Sequence, residues 1–156
     1  MITFKMLIKI MIGLLANPWS ATADQNATLD ASRGPVDFVE CYATASVLSE
    51  FQPAWERKWA KAHPGQLPFK SRTFEAQTEV KALEDLYYQK NYGLSASSAK
   101  TQKIPLFEAS DETRFQSVIE HERNEFAPAL ETLNADVHDK LWNRVRYCRI
   151  ELSQKK

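Results

Sequence analysis

One of the three histidines of this chain lies in a segment with the outline of a metal site. His121 is followed by Glu122, and Glu125 occupies the position four residues after His121. A zinc-protease helix needs a second histidine at that position, because two imidazoles one turn apart bind the metal from the same face. A glutamate there leaves the ligand set incomplete. We therefore expect a solvated helix face with no metal, and nothing in the sequence indicates another cofactor.

The remaining acidic and histidine residues give no complete catalytic set. His138 and Asp139 resemble the histidine–carboxylate pairs of secreted lipid hydrolases, but the flanking cysteines of those enzymes are absent. Hydrolysis of a glycan needs two carboxyl groups, one of them with a pKa raised by an apolar environment. Glu79 or Glu122 would serve in such a cleft, although the sequence shows no apolar environment around them. A cell-wall hydrolase therefore stays an alternative function.

The first 23 residues have the pattern of a secretory signal. Lys5 and Lys9 precede an apolar run at 10–16, and small residues around Ala23 suit a signal peptidase. The run is much shorter than the roughly 20 residues that span a bilayer. We expect cleavage after Ala23, a flexible lead at 24–34, and export to the periplasm or the exterior without membrane attachment.

The two cysteines are 107 positions apart, at Cys41 and Cys148. In an oxidising compartment a lone pair of this kind most simply closes into one disulfide. Such a bond would join the start of the folded region to its end.

The charge balance argues against polyanionic partners. The chain has 20 basic and 20 acidic residues, and loss of the two signal lysines leaves a mature net charge of −2. A nearly neutral chain has no electrostatic footprint for nucleic acid or an anionic membrane. Glycine is scarce, at four residues, and the abundance of Ala, Glu, Lys, Gln and Leu favours helices.

Four amphipathic helices are predicted in a single domain at 35–156. The first begins at Pro35 and continues to Ala62, with a kink or short break at Pro53. Its predicted inner stripe is Phe38, Cys41, Ala45, Leu48, Gln52, Trp55, Trp59 and Ala62. The second spans about Thr73 to Tyr92, and Gly93 is its C-cap.

The third and fourth helices follow a long connection. The residues at 94–110 are predicted as a loop, with an apolar group around Pro105 that docks on the bundle. The third helix has Ser110 or Asp111 as N-cap and bends at Pro128, and Asp136 caps the fourth. The simplest arrangement is an up-down-up-down four-helix bundle with kinked helices, in which the first and last helices are antiparallel neighbours joined by the Cys41–Cys148 disulfide.

Aromatic, arginine and apolar side chains outside the inner stripes are the candidate partner-binding residues. Tyrosine, tryptophan and arginine are the residue types enriched in binding hot spots, and a long loop is often functional. These candidates are Tyr88, Tyr92, Trp142, Arg146, Ile104, Leu106 and Phe107.

The sequence predicts a non-enzymatic module that binds an unidentified periplasmic or secreted protein. In general format, being small, exported, helical and single-disulfide, the chain is similar to periplasmic inhibitors and immunity proteins. That similarity implies an inhibitor of a hydrolase or toxin and assigns no residue a role. A carrier of a small ligand in the space between kinked helices is a further alternative.

Overall fold

The computed structural model describes residues 36–65 and 71–154, and within them the chain forms five α-helices. Four are long and correspond to the four predicted helices, so the all-α helical bundle is confirmed. The predicted signal at 1–23 and lead at 24–34 lie outside the described residues. The helices are α1 (Phe38–Ala62), α2 (Thr73–Tyr92), α3 (Ala96–Thr101), α4 (Ala109–Thr132) and α5 (Ala135–Gln154).

Helix α1 begins after Asp37, three residues later than predicted. The Asp37 carboxylate accepts hydrogen bonds from the backbone N–H groups of Val39 and Glu40, at 2.8 and 3.3 Å. These bonds satisfy donors that the first turn leaves without intrahelical partners. The helix then continues through Pro53 without a break.

The other helix ends follow from local chemistry in the same way. Gly93 closes α2 as predicted, with a left-handed φ of 66° that glycine adopts without steric cost. Helix α4 starts at Ala109 rather than after Ser110 or Asp111. Helix α5 starts at Ala135, because the Asn134 side chain accepts from the N–H of Val137 at 3.3 Å and takes the capping role predicted for Asp136.

The segment 94–110 is not a loop throughout, since it contains the short helix α3. The Ser95 hydroxyl caps α3 by accepting from the Ser98 N–H at 3.2 Å. The Asp85 carboxylate of α2 accepts from the Ala96 N–H at 2.8 Å. Periodicity could not reveal six residues of small and polar type, and the tertiary bond from Asp85 supplies the order that local propensity lacks.

Helices α1 and α5 are antiparallel neighbours, as predicted. Cys41 near the start of α1 forms the disulfide with Cys148 near the end of α5, and their Cα atoms are 5.5 Å apart. Farther along, Gln52 of α1 bonds to Trp142 of α5. Since a residue early in α1 contacts one late in α5, and a later residue of α1 contacts an earlier one of α5, the two helices run in opposite directions.

Helices α2 and α4 flank this pair on opposite sides and do not contact each other. Helix α4 runs parallel to α1, since Arg114 near its start pairs with Asp37 and Glu131 near its end pairs with Lys58. The chain between α2 and α4 therefore crosses the N-terminal end of α1, where Phe107 packs against aromatic residues. The long predicted connection has a structural role in this crossing.

Because α1 contacts α2, α4 and α5, it is buried over much more than the single stripe that the sequence predicted. Ala43 and Val47 are fully buried although they lie outside that stripe. The main core unites α1 with all three neighbours: Cys41, Ala43, Ala45, Val47, Leu48, Ala76, Leu83, Ile119, Phe126, Leu141, Trp142, Val145 and Leu152.

Candidate functional site

A buried polar cluster joins α1 to the start of α5. Gln52 is 1% exposed, and its carbonyl oxygen accepts from the Trp142 indole N–H at 3.0 Å. The same oxygen lies 2.8 Å from Nε2 of His138, and the Gln52 amide donates to the Glu56 carboxylate at 2.9 Å. An indole N–H can only donate and a carboxylate can only accept, so the two partners fix the orientation of the Gln52 amide.

This orientation also fixes the hydrogen on His138. Since the Gln52 carbonyl can only accept, Nε2 of His138 carries the hydrogen, and Nδ1 of the neutral ring carries the lone pair. Nδ1 lies 3.6 Å from the Asp139 carboxylate. The ring stacks on Trp55, with centroids 4.3 Å apart and planes at 9°. Burial lowers the pKa of His138 below its ordinary value, with the nearby Asp139 carboxylate opposing that shift.

The Glu56 carboxylate extends this cluster to α2. It accepts from the backbone N–H of Arg72 at 2.7 Å, from the Ser71 hydroxyl at 2.7 Å and from the Thr73 hydroxyl at 3.1 Å. Burial alone would raise the pKa of Glu56, but the hydrogen bonds from Gln52, Ser71, Arg72 and Thr73 outweigh it and hold the pKa below its ordinary value. Glu56 of α1 thus caps α2 at long range.

The cluster is suited to holding helices together rather than to catalysis. His138 contacts an amide, an indole and a carboxylate, and none of these is a nucleophile that a histidine could activate. An adjoining cavity of about 20 Å³ has room for about one water molecule, whereas pockets for small ligands are usually of several hundred Å³. The cavity is lined by Leu48, Phe51, Gln52, Trp55, Phe126, Ala129, Leu130, His138 and Leu141.

Two glutamates are buried, and each faces an arginine of α5. Glu79 of α2 is 4% exposed and lies 3.0 Å from Arg149, while Glu122 of α4 is 3% exposed and pairs with Arg144 at 2.5 Å. One oxygen of each carboxylate has no hydrogen-bond partner among the described residues. Burial raises the pKa of Glu79, and Arg149 opposes the shift. The two carboxylates lie on helices that do not contact each other, so this geometry does not place them as a catalytic pair.

The border between α2 and α5 carries four charged side chains and, next to Arg149 in the sequence, one apolar side chain. We call these residues the α2–α5 face: Arg72, Glu75, Arg146, Arg149 and Ile150. Arg72 and Arg146 both bond to Glu75, at 3.0 and 3.4 Å. Arg72 also lies over the Trp142 ring, 3.5 Å from its centroid, a cation–π contact. Ile150, one turn after Arg146, is 50% exposed.

The structure separates the candidate binding residues into a buried and an exposed set. Tyr88 and Trp142 are 2% and 1% exposed, so they fill the interior, against the expectation that they lie off the inner faces. Helix α3 covers Tyr88, whose hydroxyl donates to the Ile104 carbonyl at 3.0 Å. Trp142 lies between α1 and α5 beneath Arg72. By contrast, Tyr92 is 48% exposed and the Arg146 side chain 41%.

The loop candidates are half-buried against the bundle, as their predicted docking requires. Ile104 and Leu106 pack beside Tyr88. Phe107 contacts Phe38 and Phe115, with ring centroids 5.9 and 5.1 Å apart. Each of these side chains therefore uses part of its surface to hold the crossover, and a role in partner binding stays a prediction.

Sequence reasoning missed residues that organise the buried polar cluster around Gln52 and the α2–α5 face. The sequence places Gln52 only as one position of the inner stripe of the first helix, and it indicates no role for Glu56 or Arg72. A glutamine within an apolar stripe is a usable signal, because a buried amide needs partners for its carbonyl and its N–H groups. The partners themselves come from other helices, and no local pattern identifies them.

Comparison of the chain with protein families, with curated proteins and with solved structures finds no match. Within residues 36–65 and 71–154, no helix is long and apolar enough to cross a membrane. The same residues contain no group of three or more side chains arranged to hold a metal ion. The disulfide is typical of an oxidising compartment.

Proposed function

We propose that this chain is an exported, non-enzymatic helical module that binds a periplasmic or secreted protein through its folded surface. The observation that carries the proposal is the α2–α5 face. There, Arg146 and Arg149 are held by carboxylates of α2 yet keep side chains 41% and 49% exposed. Arginine held in a fixed position beside apolar surface is typical of the residues that dominate protein interfaces.

The buried groups favour binding over catalysis. Glu79 and Glu122, the carboxylates that a hydrolase would need, are each paired with an arginine on different sides of the bundle. His138 uses its Nε2 hydrogen on Gln52. These groups are committed to holding helices in place, whereas the exposed arginines retain donors for a partner.

Inhibition of a hydrolase or toxin is the most specific form of this proposal. A bundle whose first and last helices are joined by a disulfide presents a rigid surface, and rigidity lowers the ordering cost of binding. The format fits a protein that blocks a partner by covering it.

Capture from periplasmic extract tests the proposal. The oxidised protein is immobilised, and we expect it to retain one partner in a stoichiometric complex that survives gel filtration. The same support carrying an equal amount of reduced, unfolded protein is the control for nonspecific adsorption. Recovery of no stoichiometric partner by the oxidised protein would contradict the binding function.

The alternative hydrolase has a separate test in an assay on purified cell wall. It requires that Glu79→Gln or Glu122→Gln abolish hydrolysis that the unmodified protein performs, while Glu120→Gln on the exposed side of α4 leaves it intact. We expect no hydrolysis from any of the four proteins.

A further inference from the structure

We infer that the partner presents an acidic, partly apolar protein surface, and that it docks on the α2–α5 face with Arg146 and Arg149 as its main contacts. This inference rests on the proposed binding function and specifies the chemistry of the partner. It is carried by charge, by the fixed position of the guanidinium groups and by the exposure of Ile150.

The exposed charge of the face is positive. Three guanidinium groups, those of Arg72, Arg146 and Arg149, are matched by only two carboxylates, those of Glu75 and Glu79. The side chain of Glu79 is only 6% exposed, beneath Arg149, so a partner cannot contact its carboxylate directly. Among the residues that define the face, an approaching partner therefore meets three cations and one accessible carboxylate.

The guanidinium groups are held ready for a ligand. Arg146 contacts Glu75 through one nitrogen at 3.4 Å and lies 5.5 Å from the Trp142 ring centroid. Arg149 approaches Glu79 through one nitrogen at 3.0 Å. A guanidinium has five N–H donors in a planar fork that fits a carboxylate. Each arginine thus keeps N–H donors beyond the one that contacts α2, and its contact with α2 reduces the entropy cost of binding.

The apolar component of the partner follows from Ile150. Its side chain is half exposed. It follows Arg149 directly and lies one turn after Arg146 on the same helix. A partner that brings carboxylates to the two arginines would cover Ile150 in the same contact. Desolvation by that contact strengthens the ion pairs, which solvent otherwise screens.

A protein fits this face better than a polyanion does. Nucleic acids and anionic membranes require broad basic patches, because their affinity comes from many phosphate contacts. Here the basic surface is three arginines within a chain of balanced charge, with 20 basic and 20 acidic residues. A compact acidic protein patch provides enough carboxylates to pair with these arginines.

The inference is tested by site-specific photo-crosslinking combined with charge reversal. A photoreactive amino acid replaces Ile150 in one protein and exposed His121 of α4 in another, and both are exposed to periplasmic extract. We expect a single crosslinked protein from position 150 and none from position 121. We also expect the crosslinked peptide of that partner to be rich in Asp and Glu.

The partner so identified is then purified, and its dissociation constant is measured by titration. Arg146→Glu should weaken binding roughly tenfold or more. Arg123→Glu is the matched control, because Arg123 is similarly exposed (46%) and pairs with Glu50 of a neighbouring helix at 2.7 Å. Arg146 is chosen for reversal because Glu75 keeps Arg72 as its partner, and circular dichroism checks that each variant stays folded.

The outcomes separate the two proposals. If neither position crosslinks and no complex forms, the binding function itself fails. If a complex forms but crosslinks only from position 121, or binds Arg146→Glu and unmodified protein equally, this inference fails and the binding function stands. A crosslink between two copies of the chain, or Arg146-dependent binding to duplex DNA or phosphatidylglycerol vesicles and not to a protein, would also overturn it.

Discussion

Replacement of Gln52 by methionine should lower the free energy of unfolding of the bundle much more than the same replacement at the surface. Gln52→Met keeps the length of the side chain and removes the acceptor shared by Trp142 and His138. A buried donor left without a partner costs about 1–3 kcal/mol. The Trp142 N–H is almost fully buried, whereas the His138 side chain is 14% exposed and can recover some hydration. We therefore expect a loss of about 2–4 kcal/mol in the free energy of unfolding.

The chain offers a matched control in Gln116. Its amide donates to Glu112, four residues earlier, at 2.9 Å, the same distance as the bond from Gln52 to Glu56. Gln116 is exposed, however, and within residues 36–65 and 71–154 its side chain bonds to no other helix. Gln116→Met should therefore cost only about 0.2–0.5 kcal/mol, the usual value of an isolated pair one turn apart on a helix.

Urea denaturation near neutral pH, followed by far-ultraviolet circular dichroism, measures both variants. We expect a lower midpoint for Gln52→Met with an unchanged slope, since the slope reports the surface exposed on unfolding. In a Trp142→Phe background the cost of Gln52→Met should fall by about 1–3 kcal/mol, because the orphaned indole donor is gone. Equal midpoints for Gln52→Met and Gln116→Met would refute the role assigned to the buried amide.

Two further predictions concern the disulfide and the acid response of the bundle. The double variant Cys41→Ser/Cys148→Ser should lose roughly 4–5 kcal/mol by chain entropy, because the bond closes a loop of 107 residues; coincident urea midpoints with the oxidised protein would contradict this. Stability should also decrease in two stages as the pH is lowered. The pKa of His138 is lowered from 6.5, so the unfolded chain takes up the proton first, and stability present above pH 6.5 is lost below it. The pKa of Glu56 is lowered from 4.5, so its contribution is present above pH 4.5 and is lost as the pH falls further. Urea midpoints across this range measure both stages. Glu56→Gln should reduce the lower stage without abolishing it, because, against the effect of burial, Arg72 and Arg146 also lower the pKa of Glu75; an unchanged profile in that variant would exclude Glu56 as a source.

Much of the local structure could be predicted because it depends on neighbours in the sequence. The apolar spacing from Thr73 to Tyr92 and the glycine after it define α2 to the residue, since a left-handed C-cap is a property of Gly93 itself. Helix α3 escaped prediction, because its order depends on Asp85 of another helix. Helix α1 starts at Phe38 and not at Pro35, because the Asp37 carboxylate accepts a hydrogen bond from the Val39 N–H and so caps the first turn.

The binding role of the candidate residues stays a prediction, and the structure adds only how far each side chain is exposed. Arg146 and Tyr92 are exposed as a binding role requires, but Tyr88 and Trp142 are interior residues. Helical spacing locates a side chain around its own axis and says nothing about which neighbour covers that side. Trp142 is buried because Gln52 accepts from its indole N–H and Arg72 lies over its ring.

The sequence by itself determined the four long helices, both ends of α2 and the pairing of two lone cysteines, because periodicity, the glycine C-cap and cysteine number are encoded locally or by count. The tertiary structure alone decided that α1 is central, that α2 and α4 flank it without touching, and that Arg146 and Arg149 stand over carboxylates of α2. Each of these depends on contacts between residues distant in the chain. Their geometry follows from how four apolar faces share one core, and a one-dimensional pattern does not specify that arrangement.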